Sequence, residues 1–565
     1  MNFKVGYKKV IVSLAIICLG LGGISFTQDY FEISKNLDIF NAIYRELNVA
    51  YVDDTKPGQL MKTGIDAILG SLDPYTVYYP ENEIEDFRFL MTGEYGGIGA
   101  TVYDIDGKII IDEPYEGFTA FKAGLRAGDQ IVGVNGNNVV GKRSDEITNL
   151  LKGQAGTSLK LKVLKYGETT PIELSITREE IKTKSVTYSG MLSNNQTGYI
   201  KLNQFIENSS NEVKDALVSL KGKGCKNIIL DLRGNPGGLL HEAVNIVNLF
   251  VDKGVEVVYT KGKAAEWDKA YLSVNNPVDI QIPLVVLVDE NSASASEIVS
   301  GALQDLDRAV VIGQRTYGKG LVQQTRDLVY NSKVKITVAK YYIPSGRCVQ
   351  ALDYTHKDEE GRVEKVPDSL ITAFKTRGGR IVYDGAGVMP DVKMNHERLS
   401  MVEIALLTKF HIFNFASKYR STHKEIAAAK DFKLNDEGYQ EFLASIKDKD
   451  YSYKAKSEVE FEEVKKQAIV ENNFESIKTE YDALNAKIAA TKKEDLTKQK
   501  ESIKQLIEEE IVSRYYFQSG SIEYSLKMDK DIEKGIELLK EEGKVKNILT
   551  TIEKPTKPFN MRKRF

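Results

Sequence analysis

The segment Asn291-Ser292-Ala293-Ser294-Ala295-Ser296-Glu297 sets three hydroxyls among small residues. It lies between an apolar run, Leu284 to Asp289, and a helical stretch, Ile298 to Leu306. Where a strand turns into a helix, the N–H groups of the first helical turn have no internal acceptor and suit a developing negative charge. A serine at that junction can attack a carbonyl while the next amide holds the oxyanion. Serine is also a preferred helix cap, so the segment alone fits either role equally.

A hydroxyl nucleophile needs a base, and His241, His356, His396, His411 and His423 stand in segments without a catalytic pattern. The run Thr316-Tyr317-Gly318-Lys319-Gly320-Leu321-Val322-Gln323-Gln324 instead sets one lysine between two glycines, which permit close backbone approach. Burial would penalise its ammonium and let a neutral amine take a serine proton. The plain alternative is a solvent-facing turn lysine. A third segment, Asp231-Leu232-Arg233-Gly234-Asn235-Pro236-Gly237-Gly238, again leads from a buried run into a Gly-rich turn. It lacks the Lys-Ser/Thr that completes a phosphate-binding loop, so the amide of Gly237 or Gly238 reads best as a second oxyanion donor.

These loops must be positioned by regular elements. From Gly198 to about Asp391 near-continuous apolar runs, such as Ile228 to Leu230 and Val310 to Ile312, alternate with helical patterns, which predicts an α/β core buried on both faces. Ahead of it, residues 87–180 are rich in glycine and short β-branched runs, with one amphipathic helix, Ser144 to Lys152, turning Ile147, Leu150 and Leu151 inward. Ile33, Leu37, Phe40, Tyr44 and Leu47 fall on one face of an N-terminal helix, and a second helix starts near Pro57 and stops before Asp73-Pro74. Leu399, Val402, Leu406, Phe410 and Phe413 open a helical C-terminal region. The expected division is a leader or anchor over 1–26, a helical region over 27–86, a strand-rich module over 87–180, the α/β core over 181–395 and C-terminal helices over 396–565.

A chain of 565 residues suggests three or four units. With 77 Lys and Arg against 80 Asp and Glu, no global pull toward nucleic acid is expected. Three cysteines exclude a disulfide-built scaffold. Lys4, Lys8 and Lys9 before the apolar run Val10 to Ser25 predict an export signal. Gly23-Ile24-Ser25 is a weak cleavage site, so an uncleaved membrane anchor stays an alternative, while Ile17 before Cys18 disfavours lipid attachment. Cys225 and Cys348 read as small buried hydrophobes, with a bridge left open.

Taken together, D-L-R-G-N-P-G-G at Asp231 to Gly238, S-A-S-A-S-E-I at Ser292 to Ile298 and T-Y-G-K-G-L-V-Q at Thr316 to Gln323 resemble the carboxyl-terminal processing, or tail-specific, proteases. Y-Y-I-P-S-G-R at Tyr341 to Arg347 and G-V-M-P-D-V at Gly387 to Val392 extend the match in the family's order. The resemblance implies a crotonase/ClpP-like α/β peptidase core with a Ser–Lys dyad. Ser294 would be the nucleophile, Lys319 the base and Gln323 the residue that orients the amine. Ala295 would give one oxyanion amide and Gly237 or Gly238 the other, with no metal or cofactor. It further implies that the strand-rich module is a PDZ domain. Gly97, Ile98, Gly99 and Ala100 would be its carboxylate-binding loop, and Ala123 to Val132 would lie just downstream.

The expected substrates are proteins or peptides with free, apolar C-termini, cleaved in an exported, periplasmic setting, with oligomeric state open. Two other readings compete: a PDZ-bearing chaperone or binding protein with an idle dyad, and an acyl-CoA enzyme on a crotonase-like fold.

Overall fold

The computed structural model describes residues 30–357, 362–366, 371–395, 398–541 and 543–551. The expected leader therefore lies outside the described residues. Six strands form the central sheet in the order Val186–Met191, Thr197–Leu202, Asn227–Asp231, Leu284–Val288, Val310–Gly313 and Val392–Lys393. The first pair is antiparallel and the rest are parallel. Parallel strands need covered faces, and the alternation within each apolar run supplies both. Ile228, Leu230, Leu284, Val286 and Val288 pack against the helices Ser209–Gly222, Leu240–Asn248 and Ala295–Asp305.

The opposite side chains, Ile229, Val285, Leu287, Val310 and Ile312, meet Ile532, Leu538 and Leu539 of the helix Lys530–Lys540. The second face of the core sheet is thus closed by a segment far along the chain. Gly535 allows this approach, since a Cβ there would lie 2.9 Å from Ile229 Cδ1.

A second, antiparallel sheet orders Val77–Tyr79, Lys333–Tyr342, Glu256–Gly262 and Lys269–Leu272, with Leu321–Asp327 also paired to Lys333–Tyr342. It carries the residues just beyond Lys319. The strand-rich module has its own antiparallel sheet, Ala100–Ile105, Lys108–Pro114, Gln130–Val134, Ser158–Leu164 and Ile172–Thr177, and its own apolar core. Its helix, Ser144–Leu151, buries Ile147 and Leu151 as expected, but Leu150 faces solvent. A helix this short has a narrow apolar stripe, and Leu150 falls outside it.

The N-terminal helices run over residues 30–50 and Pro57–Gly70. The Tyr44 hydroxyl joins them by donating to Pro57 O at 2.8 Å. Ile33, Leu37, Phe40 and Leu47 remain exposed. In the C-terminal region the single helical pattern through Phe410 divides into two helices, Met401–Thr408 and His411–Thr422. Phe410 itself takes φ 58° at the break. Its ring sits 5.2 Å from that of Tyr103 on the module's edge strand, and Phe517 of the long helix Lys500–Ser525 meets Phe121 at 5.3 Å. The C-terminal helices therefore brace both the module and the core sheet.

Candidate active site

The three hydroxyls of the serine segment separate clearly. Ser292 Oγ donates to Leu232 O at 2.9 Å and accepts the Asp289 amide. Ser296 Oγ donates to Asn235 O at 2.9 Å. Both are fully buried and tie the serine loop to the Asp231–Gly238 loop. Ser294 is only partly buried and begins the helix Ala295–Asp305 with φ 54° and ψ −110°. Positive φ is unusual for a serine, and such strain persists where the surroundings fix it. Tyr341 fixes it in part by donating its hydroxyl to Ser294 O at 3.1 Å.

Glu297 supplies the other part. Its carboxylate is fully buried and accepts four hydrogen bonds. Oε2 takes the amides of Ser294 at 2.9 Å and of Lys319 at 2.8 Å. Oε1 takes the Gly318 amide at 2.8 Å and the Thr316 hydroxyl at 2.5 Å. Burial pushes this carboxyl up from its ordinary range while the four donors pull it back. One side chain thus brings the backbones of Ser294 and Lys319 onto a single oxygen, and the Tyr317 amide adds a bond to Ser292 O at 3.0 Å.

The Gly-rich turn closes over the serine from the side. Gly237 stands so near that a Cβ there would lie 2.8 Å from Ser294 Cβ and 2.9 Å from the Ala295 amide nitrogen. Its own amide, however, donates to Asn235 Oδ1 at 2.9 Å, because Asn235 folds its side chain back to cap the turn. That leaves Gly238 of the two expected alternatives. Among the described residues the amides of Gly238 and Ala295 donate to no backbone or side-chain acceptor. Gly238 has φ 142°, and a Cβ there would lie 2.0 Å from Phe205 O, so only glycine fits. Asn235 is fully buried, donates to Leu202 O at 2.8 Å, and accepts the Ala293 amide on its own carbonyl.

Arg233 anchors the same turn from below. It pairs with Asp231 at 2.6 Å and with Asp529 at 2.7 Å and Asp531 at 3.2 Å from the C-terminal helices. The guanidinium of Arg233 and the ammonium of Lys201 hold the Asp231 carboxyl well below the usual carboxylate range despite its burial.

Lys319 is half-buried between two glycines that the close packing requires. A Cβ on Gly318 would lie 2.4 Å from Ala351 Cβ, and one on Gly320 would lie 2.8 Å from the Gln350 nitrogen. Burial, reinforced by Lys335, lowers the Lys319 amine from its ordinary value to about 8, against the opposing charges of Asp73 and Glu297. Gln323 Nε2 donates to Thr337 Oγ1 at 3.2 Å, its cross-strand partner in the register. No hydrogen bond joins Lys319 Nζ to Gln323 or to the Ser294 hydroxyl among the described residues.

In the strand-rich module Ile98 is buried, Gly99 takes φ 73°, and Ala100 begins the edge strand Ala100–Ile105. Gly97 ends the strand Glu94–Gly97 that pairs with Glu179–Lys182. The carbonyls of Ile98 and Gly99 accept the amides of Ala120 and Tyr115, both at 2.8 Å. Their own amides donate to nothing among the described residues. Successive unpaired amides of this kind can bind a carboxylate.

Sequence reasoning missed Glu297, Asn235, Arg233 and Tyr341 as parts of the site. The one signal for Glu297 was its place three residues into a helix after a serine, the spacing at which a carboxylate reaches back to the capping amide. Cys225 and Cys348 are both free thiols, and burial raises Cys348 to about 11.

The Peptidase family S41 model matches residues 196–358, the PDZ domain model 88–164, and a model described as "Probable PDZ-protease, C-terminal helical domain" 402–539. The chain is 37% identical over 316 residues to the carboxy-terminal processing protease CtpA of Bacillus subtilis, a stretch covering 56% of this chain and 67% of that one. It is 38% identical over 319 residues to a probable CtpA-like serine protease of Staphylococcus aureus, covering 56% of this chain and 62% of that protein. The structure of the photosystem II D1 C-terminal processing protease shares 28% identity at a TM-score of 0.34, covering 63% of this chain and 92% of that one. On its sequence relatives, the chain belongs to the family of carboxy-terminal processing serine proteases, which here joins a peptidase S41 core to a PDZ domain.

Proposed function

We propose that this chain is an exported endopeptidase in which Ser294 attacks the scissile carbonyl and Lys319 acts as general base. The observation that carries this reading is the buried Glu297 carboxylate, one oxygen of which accepts the amides of both residues. A neutral Lys319 amine takes the hydroxyl proton as the Oγ–C bond forms, and the amides of Ala295 and Gly238 receive the oxyanion. The ammonium then protonates the leaving amine. Water, deprotonated by the same lysine, hydrolyses the acyl-enzyme.

Substrate tails dock on the PDZ domain with their carboxylate on the Ile98 and Gly99 amides, extending along Ala100–Ile105. That strand lies at the end of its sheet and pairs on one side with Lys108–Pro114. The basic and apolar leader over residues 1–26 supports export, with the segment either cleaved or retained as an anchor.

The test incubates wild type, Ser294→Ala and Lys319→Ala with an unfolded protein ending in apolar residues. Cleavage by wild type alone is expected. Fragments from either variant at the wild-type rate would remove the dyad.

A further inference from the structure

Lys319 is held from a direction the dyad does not explain. Its Nζ lies 4.0 Å from the centre of the Tyr75 ring. The Tyr75 hydroxyl is 3.5 Å from that of Tyr317, to which it donates, and 3.3 Å from that of Tyr354, from which it accepts. The tyrosine is itself firmly set. Asp73 Oδ1 accepts the amides of Tyr75 and Thr76, each at 2.8 Å, and the Thr337 amide donates to Thr76 Oγ1 at 3.2 Å. Two residues on, Val77 enters the antiparallel ladder opposite Lys335. Gln323 reaches the same turn through Thr337, whose hydroxyl is 3.4 Å from Thr76 Oγ1.

We propose that Tyr75 is a positioning residue for the general base, its ring face holding the protonated Lys319 side chain and releasing the neutral amine toward Ser294. The inference rests on the Ser–Lys reading above. An aromatic face attracts an ammonium within about 6 Å but gains far less from a neutral amine. When the Lys319 proton passes to water, the hold weakens, and the free amine can accept the Ser294 hydroxyl proton as the Oγ–C bond forms. The N-terminal segment thereby supplies a part of the site that the serine and lysine loops lack.

The groups that face the amine can be sorted by sign. Burial favours the neutral form, as does Lys335 on the strand Lys333–Tyr342. Asp73 before the strand Val77–Tyr79 and Glu297 on the serine helix favour the charged form. The Tyr75 ring also favours the charged form, while the phenols of Tyr317 and Tyr354 meet the Tyr75 hydroxyl.

Tyr75→Leu keeps an apolar volume but removes the aromatic face, Tyr75→Phe keeps the face, and a trifluorinated phenylalanine at position 75 keeps the shape while weakening the face. The titration of Lys319 is read by competitive labelling with an amine reagent across pH in the Ser294→Ala background. It is read again from the acid limb of kcat/KM in active enzyme. With Tyr75→Leu and with the fluorinated ring both midpoints should fall by about 0.5 to 1 pH unit, and Tyr75→Phe should leave them in place. A fluorinated variant that titrates with Tyr75→Phe, or a Tyr75→Phe midpoint displaced as far as that of Tyr75→Leu, overturns the proposal. The labelling midpoint does not depend on Lys319 being the base. Cleavage by Lys319→Ala would sink the dyad and leave the Tyr75 result to be read on its own.

Discussion

The serine loop and the PDZ loop each present backbone amides with no acceptor among the described residues, and they differ in what stands beside them. At the serine, Ala295 and Gly238 offer their N–H groups next to a hydroxyl on a strained backbone, and a buried carboxylate ties that backbone to a lysine. In the PDZ domain, Ile98 and Gly99 offer the same groups beside an apolar core and an edge strand. Both loops depend on a glycine with positive φ to turn the amides outward. The shared device is a pair of outward amides that suits an anion. Under the proposed reading, chemistry belongs to the loop that sets a hydroxyl and an amine on one buried carboxylate.

Three perturbations test that contrast. The largest effect should come from Gly238→Ala, because the new Cβ would meet Phe205 O and displace one oxyanion donor. A fall in kcat of about 10²- to 10³-fold is expected for tailed and untailed substrates alike. If steady-state kinetics show instead a rise in KM confined to tailed substrates, the two loops are not distinct in role. Next comes pH. The base must be neutral and its amine sits at about 8, so activity should climb through that value. Two units below it kcat/KM should be about a hundredfold down, since only the deprotonated fraction works. A profile flat between pH 6 and 8 would place the working base elsewhere. The smallest effect belongs to Gly99→Ala, whose Cβ would lie 2.5 Å from Phe118 Cβ. KM for an apolar-tailed substrate should rise about tenfold, in line with a lost peptide-binding contact, while untailed substrates are unchanged. Equal cleavage of tailed and untailed substrates by the intact protein would end the tail-selection reading.

The parts legible in the sequence were those written as local pattern. The runs at Ile228 and Leu284 announced buried strands because parallel strands need apolar residues on both faces. Ser294 and Lys319 stood out because each interrupts a strand exit with small residues or glycines. Leu150 and Phe410 were misplaced by periodicity. A helical pattern does not record where a short helix stops presenting its stripe, or where a residue that turns to positive φ divides it.

What the sequence determined by itself was the inventory: a hydroxyl, an amine and amide-rich turns, with no patterned histidine to serve as base. Only the tertiary structure decided which two of the three serine hydroxyls tie the loops together and which of two glycine amides is already spent on Asn235. It alone revealed that Glu297 gathers Ser294 and Lys319, that Tyr75 faces the amine from 244 positions earlier in the chain, and that the helix Lys530–Lys540 seals the core sheet. Hydrogen bonds and ring contacts between segments remote in sequence leave no spacing to read. Their partners are chosen by the packing of the sheet that brings those segments together.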